Sequence, residues 1–181
     1  MDKARLLSKI KSSYKNSKKK FIIYSIVSVL IIIVLSIIIR TVFKSNYVVG
    51  LNFTPSLHER VFIIDKFTNL DTLVREDLIG FVFQEKDSIY FDKGENFIKY
   101  VICMQGDDLV VDSSQIKCNK KYYGSALKID GKGNVLKQFK YKGKVPKDKY
   151  FVWTPYVKSY DSRYWGFVDK KDIIGKAIWK L

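Results

Sequence analysis

A run of nineteen residues without a charged side chain, Phe21 to Ile39, constrains the fold of this chain more than any other feature. A helix rises about 1.5 Å per residue, so this run spans roughly 28 Å, close to the hydrocarbon thickness of a bilayer. A buried core helix would need a polar face, and the only polar side chains in this run are three serines and Tyr24. The sequence therefore predicts a transmembrane helix over residues 21–43.

The positive charge of the chain is concentrated before this run. The net charge is +15, and the first 40 residues hold nine basic side chains against one acid, Asp2. The basic residues that precede the run are Lys3, Arg5, Lys9, Lys11, Lys15, Lys18, Lys19 and Lys20. A basic block beside a membrane segment argues against a nucleic-acid partner and for membrane lipid, since it suits the anionic inner leaflet.

The same charges predict the topology. By the positive-inside rule, residues 1–20 form a cytosolic basic arm and residues 44–181 lie outside the cell membrane. A cleavable signal peptide is the alternative, but the apolar run is long and no small-x-small site follows Arg40. We expect an uncleaved signal anchor at the cell membrane, with a single pass and an extracytoplasmic C-terminal domain.

The outer part of the chain is predicted to be mainly β, because short apolar runs alternate with turn sequences. A glycine, Gly80, is expected to mark a bulge, and residues 124–149 are expected to form an exposed polar excursion with weak structure. The tail is expected to contain a turn of helix and a closing strand. The predicted strands are 47–49, 61–64, 78–84, 88–91 paired with 97–104, 109–111, a short pair within 115–123, 150–153 and 176–181.

Two cysteines, Cys103 and Cys118, lie in the exported part, where a disulfide is permitted. They form one if they lie on neighbouring strands and point the same way; two unpaired apolar residues remain the alternative. His58 is the only histidine and is expected at the surface. We predict no metal site and no cofactor.

Four segments resemble, in order, the motifs of the type I signal peptidase family, membrane-anchored serine proteases that remove signal peptides outside the cytoplasmic membrane. The residues that resemble these motifs are Gly50–Leu57 (Gly-Leu-Asn-Phe-Thr-Pro-Ser-Leu), Arg75–Phe81, Ile98–Asp107 and Ser159–Gly166 (Ser-Tyr-Asp-Ser-Arg-Tyr-Trp-Gly), followed by Ile173–Ala177. The resemblance implies a signal-peptidase-like antiparallel β-sheet fold behind one N-terminal transmembrane helix.

The family hydrolyses peptides with a Ser/Lys dyad, in which burial keeps the lysine neutral so that it accepts the serine proton. The resemblance puts Lys99 at the general-base position and Gly50 at the oxyanion-hole position. It puts Ser159 where the family orients the lysine, and it makes Asp161 and Arg163 part of the supporting motif beside the site.

The nucleophile position is occupied by Asn52, whose carboxamide has no hydroxyl to deprotonate. Ser56 lies four residues further on, beyond Pro55, and is not expected to replace it. Other positions depart from the family pattern as well. They are Phe53 for methionine, Tyr100 for arginine, Glu76 for glycine, Glu59-Arg60 for Gly-Asp, and Trp153-Thr154-Pro155 for Gly-Asp-Asn.

Lys99 permits two interpretations: a surviving base, or a strand lysine whose ammonium bonds the side-chain oxygen of Asn52. We expect the second. The resemblance implies a peptide-binding groove that involves Phe53, Pro55, Phe97 and Ile98. The aromatic residues Tyr47, Phe53 and Trp153 either line that groove or pack in the core.

The resemblance to degenerate members of this family implies a catalytically inactive protein that binds extended segments of exported or pilin-like proteins. Such members assist sortase-dependent pilus assembly on bacterial surfaces, as accessory or chaperone factors beside the sortase machinery. The alternative is an active signal peptidase that cleaves secretory precursors.

Overall fold

The computed structural model describes the backbone of residues 3–181 and the side chains of residues 18–181. Met1 and Asp2, and the basic side chains predicted at positions 3–15, lie outside the described part. The chain divides into two compact units, residues 1–45 and 46–181. Each unit is described by itself below.

The first unit is the helix α1, Lys3–Asn46. It begins well before the predicted anchor, so the arm and the apolar run form one continuous helix rather than an arm followed by a helix. Its segment Lys18–Asn46 is long and apolar enough to cross a membrane, with a mean hydropathy of 3.2. The apolar side chains of this segment, such as Ile32 and Leu35, are exposed.

The second unit is built from two antiparallel sheets. The strands are β1 Tyr47–Leu51, β2 Val61–Asp65, β3 Leu78–Val82, β4 Asn96–Met104, β5 Asp108–Val111, β6 Ile116–Cys118, β7 Lys121–Tyr122, β8 Tyr141–Lys144, β9 Lys149–Trp153, β10 Val168–Asp169 and β11 Ile173–Lys180. A seven-stranded sheet has the order β1-β2-β11-β3-β4-β9-β10, and a four-stranded sheet has the order β7-β6-β5-β8. The expectation of a mainly β chain with one N-terminal helix is confirmed.

Three short helices complete the described elements. The α-helix α2, Ser162–Trp165, was not predicted and is capped by the Asp161 side chain, which accepts from the Arg163 N–H. The 3₁₀ turns are Leu70–Thr72 and Lys170–Asp172. The second of these is the turn of helix expected in the tail, and the closing strand that follows it is longer than predicted.

A disulfide between Cys103 and Cys118 joins the two sheets, with their Cα atoms 5.8 Å apart. Cys103 lies on β4 of the large sheet and Cys118 on β6 of the small one. The alternative of two unpaired cysteines is therefore wrong. The cysteines do not lie on neighbouring strands as predicted, because the bond joins two different sheets. It lies within the buried cluster that also holds Ile102, Leu109 and Phe151.

Gly80 does not mark a bulge on β3, because the register shift lies on β11, between Ile173 and Gly175. A Cβ atom at Gly80 would lie 2.5 Å from Cδ1 of Ile64 on β2. The glycine thus lets the Ile64 side chain pack closely against β3.

The predicted strand at 88–91 is wrong. Residues 89–91 form bends inside the loop between β3 and β4. The apolar side chains there made the segment resemble a strand, but they pack by ring contacts instead: Phe91 lies 4.9 Å from the Phe97 ring. The turn predicted at 92–96 closes the β3–β4 hairpin, because the Gly94 N–H donates to the Phe83 carbonyl oxygen.

The excursion at 124–149 is more ordered than predicted. An isolated antiparallel bridge pairs Ile129 with Val135, and β8 lies at its end. Asp130 ties the turn between the two bridge residues, since its carboxylate accepts from the backbone N–H groups of Lys132 and Asn134. The polar composition therefore reflects a tight turn and a sheet edge.

Candidate functional site

The loop between β1 and β2 is held together by Asn52. Its side-chain nitrogen donates to the carbonyl oxygens of Leu57 and Glu59, each at 3.1 Å. Its side-chain oxygen accepts from the Thr54 N–H at 3.1 Å and from the Thr54 hydroxyl at 2.8 Å. The Asn52 N–H donates to the Arg60 carbonyl oxygen, 2.8 Å away. The carboxamide is thus fully engaged in closing this loop.

Two hydroxyls accompany Asn52 in the same loop. The Thr54 hydroxyl, which donates to Asn52, also shares a hydrogen bond with the Ser56 hydroxyl. Ser56 is buried, whereas Thr54 is exposed. The three side chains form a short polar relay within the loop, and the Arg60 guanidinium donates to the carbonyl oxygen of Thr54 on its outer side.

Lys99 projects from the middle of β4 and is buried, with 6% of its surface exposed. Its ammonium donates to the Ser159 hydroxyl, 3.0 Å away. Burial lowers the pKa of Lys99 from 10.5 to about 8, because desolvation disfavours the charged form. The chain therefore keeps a lysine that loses its proton close to neutral pH.

The expected hydrogen bond between Lys99 and Asn52 is wrong. Within the described residues, no hydrogen bond joins these two side chains. The physical reason is that each has another partner: the Asn52 oxygen accepts twice from Thr54, and the Lys99 ammonium donates to Ser159. The lysine thus points to the serine that the resemblance assigns to orienting it, though this role stays a prediction.

Asp161 and Arg163 form an ion pair that is almost fully buried, with 0% and 2% of their side chains exposed. The guanidinium also donates to the backbone carbonyl oxygens of Tyr156 and Ser159. The Asp161 carboxylate accepts from the Thr154 N–H. This pair therefore fixes the backbone of Ser159, the residue that Lys99 contacts.

A cavity of about 990 Å³ opens beside these groups. Asn52, Ser56, Lys99 and Ser159 all line it, so the structure brings the residues of the predicted site to one place. Gly50 lines it too, and a Cβ atom there would lie 2.6 Å from Cδ1 of Ile98. The glycine thus leaves room for Ile98 in the wall of the cavity.

The four predicted groove residues, Phe53, Pro55, Phe97 and Ile98, all line the cavity. Phe53 is 86% exposed at its mouth, while Phe97 is buried. The other two aromatic residues considered for the groove are not among those that line it. Tyr47 lies at the start of β1. Trp153 packs against the Tyr123 ring with a centroid distance of 5.4 Å, so the core interpretation holds for it. His58 is exposed, as expected.

The sequence did not predict a further part of the cavity lining. Tyr90 and Phe91 reach it from the β3–β4 loop, and Leu127, Ile129 and Leu136 reach it from the excursion. The only signal for them was apolar side chains within segments that are otherwise polar. Their meeting depends on contacts between segments about forty residues apart, such as the hydrogen bond from the Tyr90 hydroxyl to Asp130.

The backbone offers two open edges to the cavity. β1 is the edge strand of the large sheet and pairs only with β2. The first half of β4, Asn96–Lys99, pairs with β3 on one side, whereas the β9 pairing on its other side begins at Tyr100. Both edges line the cavity. Such edges are the elements that bind an extended peptide by strand addition.

Lys99, buried and of lowered pKa, donates to the Ser159 hydroxyl beside this cavity, which is the kind of environment in which the lysine of a Ser/Lys peptidase accepts a proton. The chain belongs to the signal peptidase family, peptidase S26, whose family model matches residues 22–181.

Named relatives agree with this assignment. The chain is 32% identical over 169 residues to "Signal peptidase I P" of Bacillus subtilis subsp. natto, covering 87% of this chain and 88% of that protein. It is 30% identical over 158 residues to "Probable signal peptidase I-2" of Synechocystis sp., covering 81% of this chain and 66% of that protein's length. A solved signal peptidase I from Enterococcus faecalis V583 aligns with 57% of this chain and 95% of its own, with 21% identity and a TM-score of 0.39. The family and the apolar helix indicate membrane anchoring.

Proposed function

We propose that this protein is a membrane-anchored, catalytically inactive member of the signal peptidase family that binds extended segments of exported proteins. The observation that carries the proposal is Asn52, whose carboxamide takes the nucleophile position and is hydrogen-bonded through both its oxygen and its nitrogen. The predicted topology, with a cytosolic N-terminus and the β domain outside, belongs to the same proposal.

The chemistry of a carboxamide supports loss of hydrolysis. Its nitrogen lone pair is delocalised, and it has no hydroxyl proton for Lys99 to accept. Removing the nucleophile from a unit of this kind leaves a rate reduced by roughly a million-fold in one well-studied protease. The Asn52 side chain also closes its own loop, so it is a structural residue of a binding surface.

Peptide binding does not need the nucleophile. An extended segment that pairs with the open edge of β1 or of Asn96–Lys99 gains main-chain hydrogen bonds, and its side chains project into the cavity. Both strands border the cavity and neither is covered on that side by another described strand. The same scaffold that presents a substrate for cleavage would in this way hold a peptide without cutting it.

The biological setting we propose is surface pilus assembly, with this protein as an accessory or chaperone factor that handles pilin-like segments beside the sortase machinery. The support is a cavity lined by open strand edges, with a carboxamide at the nucleophile position, in a chain that also carries an apolar helix long enough to cross a membrane. Deleting the gene and following covalent pilus polymers on immunoblots tests this setting, and normal polymers would contradict it.

The second candidate is an active signal peptidase with Ser56 as the nucleophile. The observation that favours it is that Ser56 is buried and lines the same cavity as Lys99. Against it, the Ser56 hydroxyl shares its hydrogen bond with Thr54, and Lys99 donates to Ser159. Within the described residues no hydrogen bond connects Ser56 to Lys99.

One experiment separates the two candidates. The full-length protein in detergent is mixed with a secretory precursor that has a small-x-small cleavage site, and the products are separated by mass. We expect binding of the precursor without cleavage. Cleavage that is lost in both Ser56→Ala and Lys99→Ala would overturn the inactive assignment and support the second candidate.

The variant Asn52→Ser extends the test. A hydroxyl at that position would lie in the loop that lines the Lys99 cavity, where a lysine with a pKa of about 8 can accept its proton. We expect cleavage to rise at least about tenfold above the wild-type background, and to disappear again in Asn52→Ser combined with Lys99→Ala. No gain would mean that the departure from the family pattern at residues 153–155 had removed the catalytic geometry as well.

A further inference from the structure

We propose that the cavity contains a subsite for a bulky apolar or aromatic side chain of the bound peptide, at the end formed by Tyr90, Phe91, Ile129 and Tyr160. These four residues are called the aromatic wall below. The inference rests on the proposed peptide-binding function and adds which segments the protein prefers. All four residues line the same cavity as Asn52.

The rings of the wall contact one another and one further ring. Tyr160 contacts both other rings of the wall, with ring centroids 5.1 Å from Tyr90 and 5.9 Å from Phe91. Tyr164, which also lines the cavity, is stacked on Tyr160 at 5.4 Å and is only 4% exposed. Tyr90 keeps 37% of its surface exposed. Packed rings that keep part of their surface exposed suit the capture of another apolar side chain.

Two phenol groups fix the excursion against this wall. The Tyr90 hydroxyl donates to the Asp130 carboxylate over 2.7 Å, and this hydrogen bond raises the pKa of Tyr90 to about 12. The Tyr164 hydroxyl accepts from the Leu127 N–H over 3.1 Å. Between these two attachments Ile129 lines the cavity with 58% of its surface exposed. The excursion is thereby held in place while its isoleucine stays unburied.

The carboxylate that is hydrogen-bonded to the wall has partners of its own. Asp130 is that acidic group, and its carboxylate already accepts from Tyr90, Asn134 and the Lys132 N–H. Those bonds hold the pKa of Asp130 well below its usual range. An apolar side chain that covers Ile129 and Tyr160 therefore removes apolar surface from water without stripping a charge of its partners.

The position of the subsite along a peptide follows from the ring path to Lys99. The Lys99 ammonium lies 5.8 Å from the Phe97 ring centroid, Phe97 lies 4.9 Å from Phe91, and Phe91 lies 5.9 Å from Tyr160. An extended chain rises about 3.3 Å per residue, so this path corresponds to no more than about five residues. The bulky residue should stand within that distance of the residue beside Lys99.

The test uses a fluorescein-labelled decapeptide of alternating alanine and serine, in which one phenylalanine is moved through six consecutive positions. Binding to the full-length protein in detergent is followed by fluorescence anisotropy. We expect phenylalanine at one position, or at two positions on the same side of the strand, to tighten binding at least about tenfold over the host peptide. Leucine at that position should tighten it as well, and aspartate should not.

Variants locate the effect. Ile129→Ala and Tyr160→Ala should abolish the phenylalanine gain, so that each variant binds the phenylalanine peptide and the host peptide with affinities within about twofold of each other. The matched control is Val135→Ala, because Val135 forms the bridge with Ile129 and is 83% exposed but is not among the residues that line the cavity. Ile129→Ala keeps the test valid if Tyr160→Ala unfolds, since Ile129 is an exposed side chain.

The outcomes are distinguishable. Binding of every peptide with equal affinity, or a phenylalanine gain that persists in Ile129→Ala, overturns the subsite and leaves the peptide-binding function standing. Failure of all the peptides, the host included, to bind overturns both. A gain lost equally in Val135→Ala also overturns the subsite, because the effect would then come from the excursion as a whole.

Discussion

Lys99 Nζ and Ser159 Oγ lie 3.0 Å apart, and both residues are buried. The two come from segments sixty residues apart, one on β4 and one in the loop before α2. Because Ser159 is held by the Asp161–Arg163 pair, the lysine is positioned by a network that does not depend on a nucleophile. The chain therefore buries an amine beside the cavity and holds its hydrogen-bond partner in place.

The buried amine should weaken the fold at neutral pH. Burial lowers the pKa of Lys99 from 10.5 to about 8, so between these values the unfolded chain binds more protons than the folded one. Stability then rises with pH across that interval, by on the order of 3 kcal/mol in total for this group. Below pH 8 the desolvation penalty is present in full.

Lys99→Met removes the penalty. We expect the free energy of unfolding of this variant to exceed that of the wild type by the largest margin at pH 7, and we expect this margin to shrink steadily towards pH 10. Urea denaturation at the two pH values measures the difference. Lys93→Met, at an exposed turn position, is the control and should show a small difference of constant size. A Lys99→Met difference that does not change with pH would contradict the burial of a charged amine.

Asn52 should matter for stability through the direction of its hydrogen bonds. Its amide nitrogen donates to two carbonyl oxygens, those of Leu57 and Glu59. Asn52→Asp places a carboxylate oxygen against both acceptors, whereas Asn52→Ala only removes the donor. We expect both variants to lose about 1–3 kcal/mol, with Asn52→Asp the less stable of the two at pH 7.

Denaturation of the two Asn52 variants at pH 7 and at pH 4 provides the measurement. The aspartate variant should recover towards the alanine variant at the lower pH, where protonation of the carboxyl group supplies a donor again. Equal stability of the two variants at both pH values would mean that the Asn52 amide does not hold the loop.

The sequence predicts those features that depend on local patterns. The charge-free run identifies the apolar part of α1, and the short apolar run at Val61–Ile64 identifies β2, because the length of an apolar run separates the two kinds of element. The resemblance to the family motifs singles out positions 52, 99 and 159. Their convergence on one cavity could be expected only through the family resemblance.

The missed features depend on contacts between distant segments. Residues 89–91 have the composition of a strand. The Phe91 ring instead contacts the rings of Phe97 and Tyr160. The Lys99–Asn52 bond was predicted because both residues belong to one motif set. The Asn52 side chain bonds Thr54, two residues away, instead. Lys99 bonds Ser159, whose backbone carbonyl oxygen accepts from the buried guanidinium of Arg163.

Breaking the buried ion pair should be costly. Asp161→Asn leaves the Arg163 guanidinium, 2% exposed, without its counter-charge, which typically costs 3–5 kcal/mol. The control is Asp108→Asn, whose partner Lys144 is exposed, and which should lose about 0.5 kcal/mol. Thermal unfolding followed by circular dichroism compares the two, and equal losses would show that the buried pair carries no special weight.

Reduction of the disulfide should loosen the contact between the sheets. The bond closes a segment of 15 residues, for which loop closure in the unfolded chain predicts about 3 kcal/mol of stabilisation. We expect the melting temperature of the wild type to fall in dithiothreitol. The double variant Cys103→Ala with Cys118→Ala should already melt at the lower temperature and respond no further to the reductant. A reductant effect in the double variant would assign the change to another cause.

Gly175 should tolerate no side chain, for a reason that separates it from Gly80. A Cβ atom at Gly175 would lie 2.0 Å from the backbone carbonyl oxygen of Asp65, whereas at Gly80 the nearest atom is the end of the flexible Ile64 side chain. The Asp65 carbonyl cannot retreat without disturbing the β2–β11 pairing, in which Asp65 is opposite Lys176. We expect Gly175→Ala to lose about 3 kcal/mol or more, and Gly80→Ala less, in urea denaturation.

Gly131→Ala is the control, because no heavy atom lies within 4 Å of its added Cβ. If Gly175→Ala were as stable as Gly131→Ala, β2 and β11 could not pair as closely as this register requires. The position of β1, which pairs with β2 beside the cavity, would then differ as well.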